Sequence, residues 1–169
     1  WKTPASAITA IPSSALIPNF ASQQAEPALR LLKKAALLVA GFTFSADEIR
    51  FLDTHKSEFD GLDLNSLTLI QWLRLEAYVR LRNSLSQEKM NILEFWGWTN
   101  DLASDAAKLS EQISALTGWK QDRIEKLIAA NHFNLVKLDD YRNEKTLLKL
   151  QKALKVADKI GIAIDLLFD

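Results

Sequence analysis

The sequence contains no cysteine among its 169 residues, which excludes a disulfide frame, a thiolate zinc site and a thiol nucleophile. Glycine is scarce. The five present are each isolated at an expected element boundary, so no glycine-rich loop exists to cradle a phosphate. Only two histidines occur, His55 and His132, and neither belongs to a His-x-x-x-His pair or a three-ligand cluster. No metal, cofactor or catalytic residue is therefore assigned. Neither charge sign dominates. The 21 basic residues equal the 21 acidic ones and are interleaved with them, so the basic footprint that neutralises nucleic acid is missing. No apolar run approaches the roughly 20 residues of a membrane helix. No basic-then-apolar leader opens the chain, which starts at Trp1 and reads as a piece of something larger.

What is present is helical periodicity. At 48% hydrophobic and 25% charged residues, the chain has the composition of a globular domain. The stretch from Leu64 to Leu85 dominates it: Leu67, Ile70, Leu73, Ala77, Leu81 and Leu85 share one helical face, and Trp72, Leu75 and Val79 form a second stripe. A helix apolar over so much of its circumference is expected to be wrapped by others. Before it, residues 1–25 carry Pro4, Pro12 and Pro18 and read as an extended strap packed on the body. A first helix is expected from Pro27 to just before Gly41, burying Leu29, Leu32, Ala36 and Val39. Ser45-Ala46-Asp47-Glu48 has the form of a capping box, opening a helix to Phe59. The central helix should start on Asn65 or Ser66. A short helix bearing Ile92, Leu93, Phe95 and Trp96 should stop near Gly97, and one bearing Leu102, Ala106, Leu109, Ile113 and Leu116 should end at Gly118.

The chain then repeats itself. Gly41-Phe42 matches Gly118-Trp119. After a two-residue difference, Ile49 and Leu52 match Ile124 and Leu127 at a spacing of 75 (124 less 49), which persists to Leu75 and Leu150, then Leu85 and Ile160. Leu93 and Phe95 meet Leu166 and Phe168 with a spacing of 73 (166 less 93). The expected fold is all-α: an irregular bundle of two imperfect helical repeats, residues 26–117 and 118–169, behind the strap of residues 1–25. The second copy breaks off at Asp169, leaving Leu166, Leu167 and Phe168 to fold back or stay exposed.

Serines at 45, 66, 86 and 104 fall where helices should start, so capping accounts for them without catalysis. One cluster has the chemistry of a recognition surface. Phe95, Trp96 and Trp98 crowd a helix end and cannot all point the same way. Packing between helices is the competing use of these rings.

Thr117-Gly118-Trp119, then Asp122 to Leu127, then Leu147 to Leu167 with its Leu166-Leu167 pair, together resemble the helical repeats of the A component of insecticidal toxin complexes and related virulence-plasmid proteins. The run from Ala36 to Leu85 is similar, with Gly41-Phe42 at the turn. The resemblance implies part of the α-helical shell of a large, secreted, homopentameric pore-forming subunit. That shell encloses a channel and does no covalent chemistry. Its partners would be other domains of the same parent chain, with membrane contact only through those other parts. No family functional residue maps onto this sequence. A stand-alone helical adaptor, taking a partner helix in the groove between repeats, is the rival expectation.

Overall fold

In the computed structural model, residues 19–168 are described, with side chains from residue 25 onward. Every regular element among them is helical, and the fold is all-α. Seven α-helices follow in order: α1 (Asn19–Phe42), α2 (Ala46–Thr54), α3 (Leu69–Ser84), α4 (Ile92–Asn100), α5 (Leu109–Thr117), α6 (Gln121–Ile128) and α7 (Glu144–Ile160). Short 3₁₀ turns at Lys56–Phe59, Ala106–Lys108, Leu138–Tyr141 and Ile164–Leu167 link or extend them. None of the described helices is long and apolar enough to cross a membrane. The chain falls into two compact units, Trp1–Thr43 and Phe44–Asp169.

In the first unit, the expected strap lies outside the described residues except for residues 19–25, which are helical instead of extended. Pro27 sits inside α1 and does not open it. Ala21, Gln23, Gln24, Ala25 and Glu26 are strong helix formers, and their propensity carries the helix through at the cost of one backbone bond. The expected buried face is also corrected. Leu29, Leu32, Ala36 and Val39 are exposed, whereas Leu38 and Phe42 are shielded. Gly41 does not stop the helix. Thr43 does, at φ 53°, its amide donating to the Val39 carbonyl at 2.8 Å.

The second unit, from Phe44 onward, holds the greater part of the first expected repeat and all of the second, and its elements recur in one register. α6 begins 75 residues after α2 (121 against 46), and α7 begins 75 after α3 (144 against 69). The turns obey the same shift. Gly118 is left-handed at φ 73°, and its amide donates to the Ser114 carbonyl at 2.8 Å, as Thr43 does to Val39. The structural counterpart of Gly118 is thus Thr43, and the two-residue difference inferred from aligning Gly41 with Gly118 disappears. A non-glycine residue holding a left-handed turn is what concealed the match.

Local chemistry sets the helix starts. Ser45 and Glu48 form the expected capping box: Ser45 Oγ accepts from the Glu48 amide at 3.1 Å, and Glu48 Oε2 accepts from the Ser45 amide at 2.8 Å. Asn65 and Ser66 do not cap α3. Thr68 does, in a second capping box with Gln71. Asn91 and Glu94 form a third at α4, and Asp105 caps the 3₁₀ turn before α5, so Ser86 and Ser104 are not caps. The helix opened by Ser45 ends at Thr54, with Phe59 in a separate 3₁₀ turn. α4 runs through Gly97 to Asn100. Leu102 precedes α5 and is 98% exposed, so it belongs to no buried face.

The core gathers around the C-terminal half of α3 and the middle of α7. Leu75, Tyr78 and Leu81 are buried on the first, with Leu85 just past its end, and Leu147, Leu150, Leu154 and Ala157 on the second. The expectation that α3 is wrapped along its length is corrected. Its first turns reach past the elements that pack on it, leaving Leu69, Ile70 and Leu73 exposed. At the other end of the unit Ile164 is buried and Leu166 exposed, while Phe168 folds back against His132, its ring 4.3 Å away and parallel.

Leu75 and Leu150 occupy equivalent core positions, so Leu→Ala at either is expected to lower stability by about 2–5 kcal/mol in urea unfolding. Gly118→Ala is expected to lower it more than Gly161→Ala. Both sites are left-handed, a conformation that opposes a Cβ by about 1–2 kcal/mol. Only at Gly118 would that Cβ also meet a neighbour, Ser86 Oγ at 3.2 Å.

Candidate functional site

The aromatic cluster is resolved into its parts by burial. Phe95 and Trp96 are both fully buried, and only Trp98, half-buried, reaches the surface. Trp96 is the hub of the core. Its ring stacks on Phe51 at 5.4 Å and on Tyr78 at 5.5 Å, and meets the edge of Phe59 at 5.3 Å. Phe95 meets Tyr141 edge-on at 6.3 Å. These contacts give the rings the packing role that buried aromatics usually take, so the proposed recognition surface does not include Phe95 or Trp96.

The histidines are tied to local structure. His55 closes α2, donates Nδ1–H to the Phe51 carbonyl at 3.0 Å, and stacks on the Phe51 ring at 4.0 Å. His132 donates Nδ1–H to the Lys126 carbonyl at 2.5 Å. Each ring nitrogen facing a carbonyl must carry its proton there, which leaves only Nε2 as a base. Among the described residues, no three His, Cys, Asp or Glu side chains come together as metal ligands.

Two arginines on α3 organise the polar interior. Arg74 Nε donates to Glu144 Oε1 at 2.6 Å, while a terminal nitrogen donates to Glu144 Oε2 at 3.2 Å and to the Glu58 carbonyl at 3.2 Å. Its other terminal nitrogen lies 2.7 Å from Asp60. One side chain therefore ties α3, the turn after α2 and the start of α7 together. Two turns later, Arg82 donates to Glu48 Oε1 at 2.6 Å, and the Tyr78 hydroxyl donates to the same oxygen at 2.5 Å. Burial alone would raise the Glu48 carboxyl, but the Ser45 amide, Tyr78 and Arg82 outweigh it and hold it below the ordinary glutamate range. Burial and the Glu48 charge together push the Tyr78 phenol well above its usual range. In the second repeat an ion pair of the opposite sense joins α6 to α7. Arg123 stands at the Glu48 position of α6 and pairs at 2.7 Å with Asp158 of α7, one residue past the counterpart of Arg82.

One surface feature with room for a partner is the groove between the repeats. It encloses about 400 Å³ and is lined by Ser84, Trp119, Lys120, Arg123, Gln151 and Lys155 among others. Its floor is the joint of α3 and α7, where Gln151 donates to Ser84 Oγ at 2.6 Å. Its wall is the Thr-Gly-Trp turn, which is internally bonded. Thr117 Oγ1 donates to the Ile113 carbonyl at 2.7 Å and accepts from the Trp119 amide at 3.1 Å, and Ser114 Oγ donates to the Trp119 carbonyl at 2.8 Å. Those bonds hold the Trp119 indole beside the groove, half-buried. Sequence reasoning placed a groove between the repeats but not its lining, because Ser84 and Gln151 carry no local signal of their meeting.

Removing Arg74 would leave the Glu144 carboxylate buried without a counter-charge, so Arg74→Met is expected to lower stability by about 3–5 kcal/mol at neutral pH, measured by urea unfolding. Glu48 gives the pH dependence. Its folded carboxyl titrates below its unfolded one, so the stability it contributes is present above the unfolded value and is lost as pH falls through the folded one. Stability should therefore decline on acidification below the ordinary glutamate range, and Glu48→Gln should flatten that decline. The chain matches no family model, no curated protein and no solved structure.

Proposed function

We propose that the chain is a non-catalytic helical packing module of a larger assembly. On the resemblance carried by Thr117 to Trp119 and Leu147 to Leu167, that assembly is the shell of an insecticidal toxin complex A component. The observation that carries the reading is the joint between repeats. There Arg74 of α3 grips the buried Glu144 of α7, and within the first repeat Arg82 of α3 likewise grips the buried Glu48 of α2, so each ion pair ties one helix to another. The self-bonded Thr-Gly-Trp turn supports it, because its side chains fix the angle between successive helices. In this reading the module acts within a secreted homopentamer, its partners are neighbouring domains of the parent, and other parts of the parent enter the membrane.

A second reading has one observation in its favour. The groove beside Trp119, of about 400 Å³, sets the Trp119 indole and Leu154 among polar and charged side chains, a mixed surface on which an adaptor could seat a partner helix.

The parent chain decides between them. It is expected to be many times the length of this chain, to carry further Thr-Gly-aromatic turns, and to form large five-fold particles in which electron microscopy places this segment in the outer wall. A short parent whose Trp119 fluorescence shifts on titration with an amphipathic helical peptide would instead establish the adaptor.

A further inference from the structure

The lysines of the second unit are not spread evenly. α7 carries Lys145, Lys149, Lys152, Lys155 and Lys159 against two acids, Glu144 and Asp158. Both acids are already matched by arginines of other helices, Glu144 by Arg74 and Asp158 by Arg123. Lys145 reaches Asp60 at 2.6 Å, and Lys149 lies over the Phe133 ring at 4.0 Å. The remaining three, Lys152, Lys155 and Lys159, are exposed and have no counter-ion among the described residues.

A lysine row along a helix is ordinarily a solvated face. This one borders a built groove. The three- and four-residue spacing sets the row on one side of α7 over about 10 Å, and Lys155 enters the lining of the groove of about 400 Å³ beside Trp119. Lys120 lines it too, from the turn before α6, exposed and likewise without a counter-ion among the described residues. The same lining holds Leu154, which is 5% exposed, and the neutral hydrogen-bonding side chains Ser84 and Gln151. Unpaired positive charge thus stands next to an indole whose backbone is tied at both amide and carbonyl.

Such charge calls for carboxylates or phosphates, and two observations favour carboxylates on a helix. Asp158 stands in the lining among the cations. A continuous phosphate backbone or lipid surface laid along the row would meet that charge, whereas a helix can place a neutral or basic residue opposite it. The row also has the spacing of a helix face, so a helix packed alongside α7 presents its own side chains in step with it. We infer that the groove binds an acidic amphipathic helix of a partner protein, with one large apolar side chain against Trp119 and carboxylates facing Lys120 and Lys155. The inference rests on the adaptor reading of this groove and adds to it the charge of the partner.

A display library of randomised amphipathic helices, selected against the full chain, tests this. Binders are expected to carry an excess of Asp and Glu beside one large apolar residue, and to weaken as salt is raised. Trp119→Ala should lower their affinity at least about tenfold. Lys120→Glu combined with Lys155→Glu should do the same, and this double variant should in turn select binders rich in Lys and Arg. Its circular dichroism and urea midpoint should stay close to wild type, because both lysines are exposed. Binders that need Trp119 but show no acidic excess would overturn the inference and leave the adaptor reading standing. Recovery of no binder, or of binders indifferent to both Trp119 and the lysines, would overturn the two together. Tighter binding of phosphatidylserine vesicles or of a single-stranded oligonucleotide than of any selected helix would also overturn the inference, and would assign the lysines to an anionic surface.

Discussion

The contact on which most of the second unit depends is the one Arg74 makes. Its guanidinium reaches Glu144, the Glu58 carbonyl and Asp60, so two segments distant in sequence are fixed relative to α3 by a single planar group. An arginine suits this place because its donors are rigidly forked and its charge cannot be titrated away. The guanidinium also lies over the Phe59 ring at 5.1 Å, which lets an ionic group sit at the margin of an aromatic core. A buried ion pair of this kind adds little net stability over a well-packed apolar substitute. Its effect is on register, since sliding α7 along α3 by one turn would strand both charges.

Around that pin, packing is divided unevenly. Trp96 draws Phe51, Phe59 and Tyr78 into one cluster in the first repeat. In the second repeat the Tyr78 position is Ala153, and aliphatic Leu147, Leu150 and Leu154 make the core. The same helical plan is therefore filled in two ways, one with rings and one with leucines. Interior packing tolerates such exchange when volume and pattern are kept.

Much of this architecture can be read from short-range chemistry. The capping box at Ser45 and the stop at Gly118 depend only on side chains within a few residues, and both stand where the pattern puts them. The equally local Thr68-x-x-Gln71 and Asn91-x-x-Glu94 boxes carried the same signature. Asn65, Ser66 and Ser86 merely lay nearer the expected starts. The aromatic cluster was visible, but burial decides its role, and burial depends on where Phe51, Phe59 and Tyr78 arrive from other elements. The exposed start of α3 was hidden for a related reason. Periodicity reports that a face is apolar, not whether neighbours extend far enough to cover it. The Arg74–Glu144 pair spans 70 positions and has no trace in either local sequence.

The exchanged signs of the two inter-helix ion pairs have a consequence for how the chain finds its own partners. Two repeats with interchangeable helices invite misassembly, in which α2 settles on α7 or α6 on α3. Here the first error would set Glu48 over Ala157, beside Asp158 and without a cation, and the second would bring Arg123 toward Arg82, because the native pairs are Glu48 with Arg82 and Arg123 with Asp158. Each wrong pairing sets like charges together and leaves them without counter-ions. The reversal thus labels each short helix for its own long one, so two halves of one helical plan can sit side by side in one chain without trading parts.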